Sequence, residues 1–460
     1  MIPSMAIFTR GRSSTWLQKR LIFLLAFTFV IALLLGIALL TSSETGPLKI
    51  KSSKESKLQD HRNLHMETNP SQSLKEAVET ASERLEDGNN ENQDKDQENT
   101  EENFPKPDYR VHVFYYPWYG NPDFDGQYLH WNHEYIQHWD KSEAVKWPKG
   151  RHEPPEDIGS NFYPALGPYS SSDKDVVTQH MLQIRKTGIG VIAVSWYPPG
   201  LADNEGRAPD SLMPLLLDLA HQRQLKVCIH VEPYTGRNAA TMKEHLDYAT
   251  KKYGSHPAYY KMSHKGRELP LYYIYDSYTV SVEDWQKLLL PTGTFSIRNT
   301  PSDAVMIGLL VEERHRLELP KAGFDGFYTY FASHGFTFGS STVHWKNLAA
   351  FAKANNLLFI PSCGPGYIDT RVRPWNDRNT KQRDHGAYYE ASLNDALKVA
   401  PPLISITSFN EWHEGTQIEE AIPKIIDGYK YMDYQPYPKD IYLTLTRKWV
   451  FKYGRLKRTS

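Results

Sequence analysis

Residues 408–419 read SFNEWHEGTQIE, and they place Glu411 and Glu414 three positions apart with Trp412 and His413 between them. The preceding run, PLISIT at 402–407, is apolar and rich in β-branched residues. A run of that kind reads as a strand buried on both faces, so the carboxylates stand where a strand gives way to a loop. If the chain turns after Phe409, the spacing brings both groups to one cavity. Two converging carboxylic acids are what glycosidic bond cleavage requires: one handles a proton at the leaving oxygen and the other acts at the sugar. A solvated acidic loop has the same composition, so the rest of the chain has to decide between the two readings.

From 109 onward, short apolar runs alternate with segments of helical spacing. Strands are predicted at 111–115, 190–195, 226–231, 271–275, 304–310, 326–330, 357–361 and 403–407. Helices are predicted at 173–187, 211–224, 238–253, 281–290, 343–355, 382–399 and 441–453. This alternation implies an α/β protein with a parallel sheet, and eight repeats in about 350 residues predict a (β/α)8 TIM barrel, with an open doubly wound sheet as runner-up. The segment 121–172 interrupts the pattern. It is dense in Trp, His, Tyr and Pro, and is predicted to be an ordered excursion over one mouth of the barrel.

Barrel enzymes carry their active sites at the carboxyl ends of the strands. The first strand ends in Tyr116 and Trp118, the second in Trp196 and Tyr197, the third in His230, Glu232 and Tyr234. Asp276 and Tyr278, Glu312 and Glu313, Tyr330, then Tyr367 and Asp369 follow at the next four, before Glu411 and Glu414 at the last. Carboxylates and aromatics repeating at one rim favour acid/base chemistry on a sugar over metal or cofactor chemistry. Each also has a structural alternative: Trp196 as barrel packing, Glu232 as a partner for an arginine, Asp276 as a helix cap. No glycine-rich fingerprint follows the first strand, so a dinucleotide cofactor is not expected. His130, His133 and His138 match no recognised ligand set, and no metal is expected. Cys228 and Cys363 lie in or beside strand-like runs and read as small buried apolar residues.

The composition fits a sugar site, with aromatics at 13% of the 460 residues, and a net charge of -1 argues against nucleic acid as a partner. Residues 21–40 (LIFLLAFTFVIALLLGIALL) are uncharged and long enough for one transmembrane helix. Arg10, Arg12, Lys19 and Arg20 precede that helix, so the positive-inside rule leaves 1–20 in the cytosol and carries 109–460 into the lumen. Residues 41–108 are polar and acidic, and read as a disordered stalk.

Several stretches together resemble glycoside hydrolase family 99: Phe114-Tyr115-Tyr116-Pro117-Trp118-Tyr119-Gly120, Ser195-Trp196-Tyr197-Pro198-Pro199, His230-Val231-Glu232-Pro233-Tyr234, Pro365-Gly366-Tyr367-Ile368-Asp369 and SITSFNEWHEGTQIE at 405–419. The likeness spans about 109–453. It implies a type II Golgi membrane enzyme with a barrel domain and no metal, acting on N-glycans of glycoproteins that are still glucosylated and high in mannose. Such enzymes cut internally at the α-1,2 bond next to the glucose-capped mannose and retain configuration. By motif, Glu411 is then the base at the sugar 2-hydroxyl and Glu414 the acid. From their places at the strand ends and in the last loop, Tyr116, Trp118, Trp196, Tyr197, His230, Glu232, Tyr234, Tyr330, Trp412 and His413 are expected to bind substrate. A glycosyltransferase would call for an Asp-x-Asp metal site that no strand end supplies. A lectin-like paralogue on a dead barrel is the other alternative, and the presence of both glutamates counts against it.

Overall fold

The computed structural model describes residues 104–456. The predicted tail, the span at 21–40 and the stalk as far as 103 lie outside the described residues. Among the described residues, no helix is long and apolar enough to cross a membrane. The stalk's predicted end at 108 is moved: Asp108 already opens the first strand.

Nine parallel strands form a nearly closed barrel: β1 (Asp108–Tyr115), β2 (Ile189–Trp196), β3 (Lys226–Val231), β4 (Arg267–Ile274), β5 (Val305–Leu309), β6 (Gly326–Tyr328), β7 (Leu358–Ile360), β8 (Ser362–Cys363) and β9 (Ile404–Ile406). The predicted seventh strand is divided at Pro361, which has no N–H to give the ladder. The part before it pairs with β6 and the part after it with β9, so one run of chain joins both ends of the sheet. Eight predicted strands thereby become nine short ones. The helices α1 (Lys174–Thr187), α2 (Met213–Gln222), α3 (Ala239–Tyr253), α4 (Val282–Leu289), α5 (His315–Ala322), α6 (Trp345–Ala354), α7 (Ala387–Lys398) and α8 (Ile441–Gly454) follow the strands in turn. Of these, α5 was not expected, because Pro320 sits inside it and its apolar positions are few. A strand at Lys261–His264, antiparallel to the start of β4, was also unforeseen.

Side chains alternate along each strand, and that parity builds the site. Phe114 of β1 points into the barrel, with ring centroids 4.7 Å from His230 of β3, 5.3 Å from Tyr273 of β4 and 5.7 Å from Tyr328 of β6. The next inward positions, two residues on, are Tyr116, Glu232, Tyr275 and Tyr330, and with Ser195 of β2 they form the layer above. In that layer the Tyr116 and Tyr330 hydroxyls are hydrogen-bonded to each other, Tyr275 meets Tyr330 edge to face at 4.9 Å, and Ser195 donates to Glu232 at 2.7 Å. The floor of the cleft is therefore aromatic, with one carboxylate set in it.

The excursion 121–172 is ordered, and it packs on this same end of the barrel. Trp131 is buried in it and donates to the Tyr169 carbonyl at 2.7 Å. His130 stacks on Trp118 at 4.6 Å, and the Gly159 carbonyl reaches His413.

Candidate active site

Local hydrogen bonds hold the loop after β9 in place. The Ser408 hydroxyl accepts from the backbone N–H of Glu411 at 2.8 Å, which starts the turn. The Asn410 side chain clasps Tyr116, accepting from its N–H at 2.8 Å and donating to its carbonyl at 3.0 Å, so the ends of β1 and β9 are tied together. Gly415 has φ +60°, and a Cβ there would lie 2.7 Å from the Ile368 carbonyl. Only glycine meets both demands.

Glu411 is 4% exposed, and one oxygen of its carboxylate accepts from the N–H of Glu414 at 2.6 Å. Glu414 lies further out, with Arg373 3.9 Å from Oε1. Arg373 also pairs with buried Asp369 at 3.1 Å, and Asp369 accepts from Tyr367 at 3.0 Å and from Asn376 at 2.9 Å. Burial raises both glutamates. Glu414 is pushed up to about 7, with Arg373 and the Tyr367 hydroxyl opposing the rise and Asp369 adding to it. Glu411 is raised well above the carboxylate range by burial and then by the charge of Glu414, against the backbone N–H it receives. Two acids this close share protons as a unit. Glu232 is likewise pushed up to about 7 by burial, opposed by the Ser195 hydroxyl. Burial first, then the charges of Glu232, Glu411 and Glu414, hold the Tyr116 hydroxyl well above its ordinary range. Tyr116 therefore stands as a neutral donor among three carboxylates.

On the opposite wall, His413 donates from Nδ1 to the Gly159 carbonyl at 2.8 Å. A carbonyl only accepts, so Nδ1 carries the proton and Nε2 is a bare acceptor, buried and without a partner. Burial and the neighbouring His133 and His130 keep this ring neutral. Trp118 lies against Tyr116 at 4.5 Å, and its buried Nε1 donor also has no partner.

The carboxylates, Tyr116, Trp118, Tyr330, Glu232 and His413 thus share one cleft, and half-buried Tyr197 joins them, its hydroxyl raised first by burial and then by Glu232. Four other predicted contacts are placed elsewhere. Trp196, one residue beyond inward-facing Ser195, faces outward, is 1% exposed and donates to Asp210 at 2.8 Å. His230 belongs to the layer beneath the cleft and bonds the Tyr328 hydroxyl at 2.8 Å. Tyr234 turns to His245 of α3 at 2.8 Å. Trp412 is wholly buried and donates to Glu419 at 3.0 Å, anchoring the loop from behind. Glu312 and Glu313 are exposed and pair with Arg314 and Arg316. Of the three histidines of the excursion, His130 bonds Asp203 and His133 the Glu134 carbonyl, both beside His413, while His138 stacks on the Trp139 ring. Cys228 and Cys363 are buried free thiols.

The family model of glycosyl hydrolase family 99 matches residues 106–455, a span that contains the whole barrel and every residue of the cleft. The chain belongs to this family. It is 56% identical over 357 residues to a glycoprotein endo-alpha-1,2-mannosidase of Xenopus laevis, covering 77% of this chain and 80% of that one. It is 54% identical over 341 residues to a human glycoprotein endo-alpha-1,2-mannosidase-like protein, covering 74% and 75%. The solved GH99 endo-alpha-mannosidase from Bacteroides thetaiotaomicron superposes with a TM-score of 0.70 at 42% identity, over 76% of this chain and 99% of the other. Family 99 membership makes the protein a glycoside hydrolase acting on mannose glycans, and the paired glutamates are the groups suited to that chemistry. Arg373 went unread in the sequence, although its place four residues after Asp369 is an ion-pair spacing.

Proposed function

We propose that the protein is an endo-α-1,2-mannosidase of immature N-glycans, cutting next to the glucose-capped mannose and releasing Glc(1–3)-Man. The single observation that carries this reading is the buried Glu411–Glu414 pair joined through a backbone N–H, in a cleft floored by Tyr116 and Tyr330. The names of its relatives support the bond and the internal cut. The uncharged segment at 21–40 and the basic residues before it support a single-pass type II anchor, with the barrel in the Golgi lumen.

The stereochemistry of mannose supports the reaction path. In an α-mannoside the 2-hydroxyl and the leaving group are trans and can be diaxial, so the oxygen at C2 can reach C1 from the face opposite the departing mannose. Glu411 takes the 2-hydroxyl proton, O2 bonds to C1, the C1–O bond to the leaving sugar breaks, and the proton of Glu414 goes to that oxygen. The product of this half is a 1,2-anhydro sugar. Water then attacks C1 and gives its proton to Glu414, the C1–O2 bond breaks, and Glu411 returns its proton to O2. Two inversions give net retention, without the carboxylate nucleophile of the usual retaining scheme. The reaction uses the singly protonated pair with the proton on Glu414. Burial favours it on Glu411, and the Glu414 N–H that the Glu411 carboxylate receives acts against that preference.

The test is a monoglucosylated high-mannose glycan: its product is a Glc-Man disaccharide, and release of single mannose residues would contradict the reading. A substrate with hydrogen in place of the 2-hydroxyl on the cleaved mannose is inert on this path. Its turnover through an ester on Glu411 would refute the anhydro step.

A further inference from the structure

The excursion carries an aromatic surface to which the cleft chemistry gives no role. Trp139 is 62% exposed, although burying such a side chain is worth about 1.5–3 kcal/mol or more, so folding alone does not account for it. It is nevertheless held. Its ring stacks on His138 at 3.8 Å and 28°, and the backbone N–H of Asp140 bonds the His138 ring at 3.1 Å. Trp375 meets Trp139 edge-on at 5.0 Å and 86°. Trp375 in turn donates to the Ile136 carbonyl at 2.8 Å, and Ile136 donates to the Val372 carbonyl at 2.9 Å. The excursion and the loop after β8 are thus bonded into one rigid ledge.

The ledge is continuous with the cleft. Arg373, facing Glu414 Oε1 at 3.9 Å, stands two residues before Trp375, and two residues of chain span at most about 7 Å. On the proposed reading Glu414 protonates the departing mannose, so this side of the cleft borders the part of the glycan that leaves. Flat tryptophan faces suit the apolar faces of pyranose rings. We infer that Trp139 and Trp375 form a platform on which the core-side part of the glycan stacks, beyond the mannose that departs. The inference rests on the proposed role of Glu414. It assigns the ledge to substrate length: contact is made only by a glycan that continues past the leaving sugar.

The experiment compares two substrates on the full chain, a monoglucosylated Man9GlcNAc2 glycan and the trisaccharide glucosyl-mannosyl-mannose, which ends at the leaving sugar. Trp139→Ala is expected to lower kcat/KM on the glycan about fivefold, through KM, and to leave the trisaccharide unchanged, in keeping with the loss of one aromatic stacking contact. Trp139→Phe restores most of the loss. An equal loss on both substrates, or none on either, overturns the platform, as does a wild type that sediments as a dimer beside a monomeric Trp139→Ala variant, which would give the ledge to a second copy. Failure of the underlying reading is separate: the wild type would then cleave neither substrate beside the capped mannose.

Discussion

At the scale of residues, the cleft is a set of pKa-shifting contacts around two acids, and Arg373 is its adjustable part. The reaction uses the pair with one proton and burial raises both acids, so kcat/KM is predicted to fall on the alkaline side, where the pair loses that last proton, well above the ordinary carboxylate range. The guanidinium favours the charged form of Glu414. Its removal therefore raises that pKa, and Arg373→Gln should move the alkaline limb upward while Asp369 keeps Asn376 and Tyr367 as partners. A pH–rate profile checks this, and a limb that stays put or moves down contradicts a positioning role. Trp196 makes the opposite case. Buried and bonded to Asp210, it should cost about 3–5 kcal/mol of stability when changed to Ala, read by urea unfolding, with the KM of the folded fraction unchanged. The parity of β2 already contained this result, since a serine facing the cleft at 195 turns its neighbour outward. By residue type alone a tryptophan at the rim suits a sugar ring, and only the alternation along β2 turns Trp196 away from it. His230 shares the inward parity but lies one layer too deep, and only its packing against Phe114 and Tyr328 reveals the depth.

At the scale of elements, the loop after β9 is rigid because its rear face is bonded as densely as its front is reactive. Trp412 lies between the two glutamates in sequence and is fixed by Glu419, whose carboxylate also meets Tyr169 at 2.8 Å and His180 of α1 at 3.2 Å. Glu419→Ala leaves those buried donors unpaired and should destabilise the fold by about 2–4 kcal/mol in urea unfolding. Glu419→Gln keeps one acceptor oxygen and should lose less. Equal stability of wild type and the Ala variant would show that the network does not hold the loop. The strands were legible because each is a short apolar run bounded by polar rim residues. The break at Pro361 was legible in kind, since proline cannot pair, but its consequence depends on which neighbours the two halves find. The fifth helix was hidden by Pro320, and its place is set by packing against the barrel.

At the scale of the whole molecule, the residues that match family 99 run over 106–455 and contain the barrel and the excursion docked on it. The excursion's order was legible from its aromatic density, while its docking on the loop that carries Arg373 depends on contacts far apart in sequence. The proposed orientation predicts that protease added to sealed microsomes leaves the barrel domain intact, and its digestion would reverse the topology. The central claim is the division of labour between Glu411 and Glu414, and leaving-group chemistry tests it most directly. Fluoride departs from C1 without a proton, whereas a mannose oxygen needs one. The measurement is turnover of a glucosyl-mannosyl fluoride and of the natural glycan by Glu411→Gln and Glu414→Gln. The account predicts that Glu414→Gln is inactive on the glycan yet still consumes the fluoride, and that Glu411→Gln, without its base at the 2-hydroxyl, consumes neither. Fluoride turnover that survives in Glu411→Gln and is lost in Glu414→Gln would contradict it.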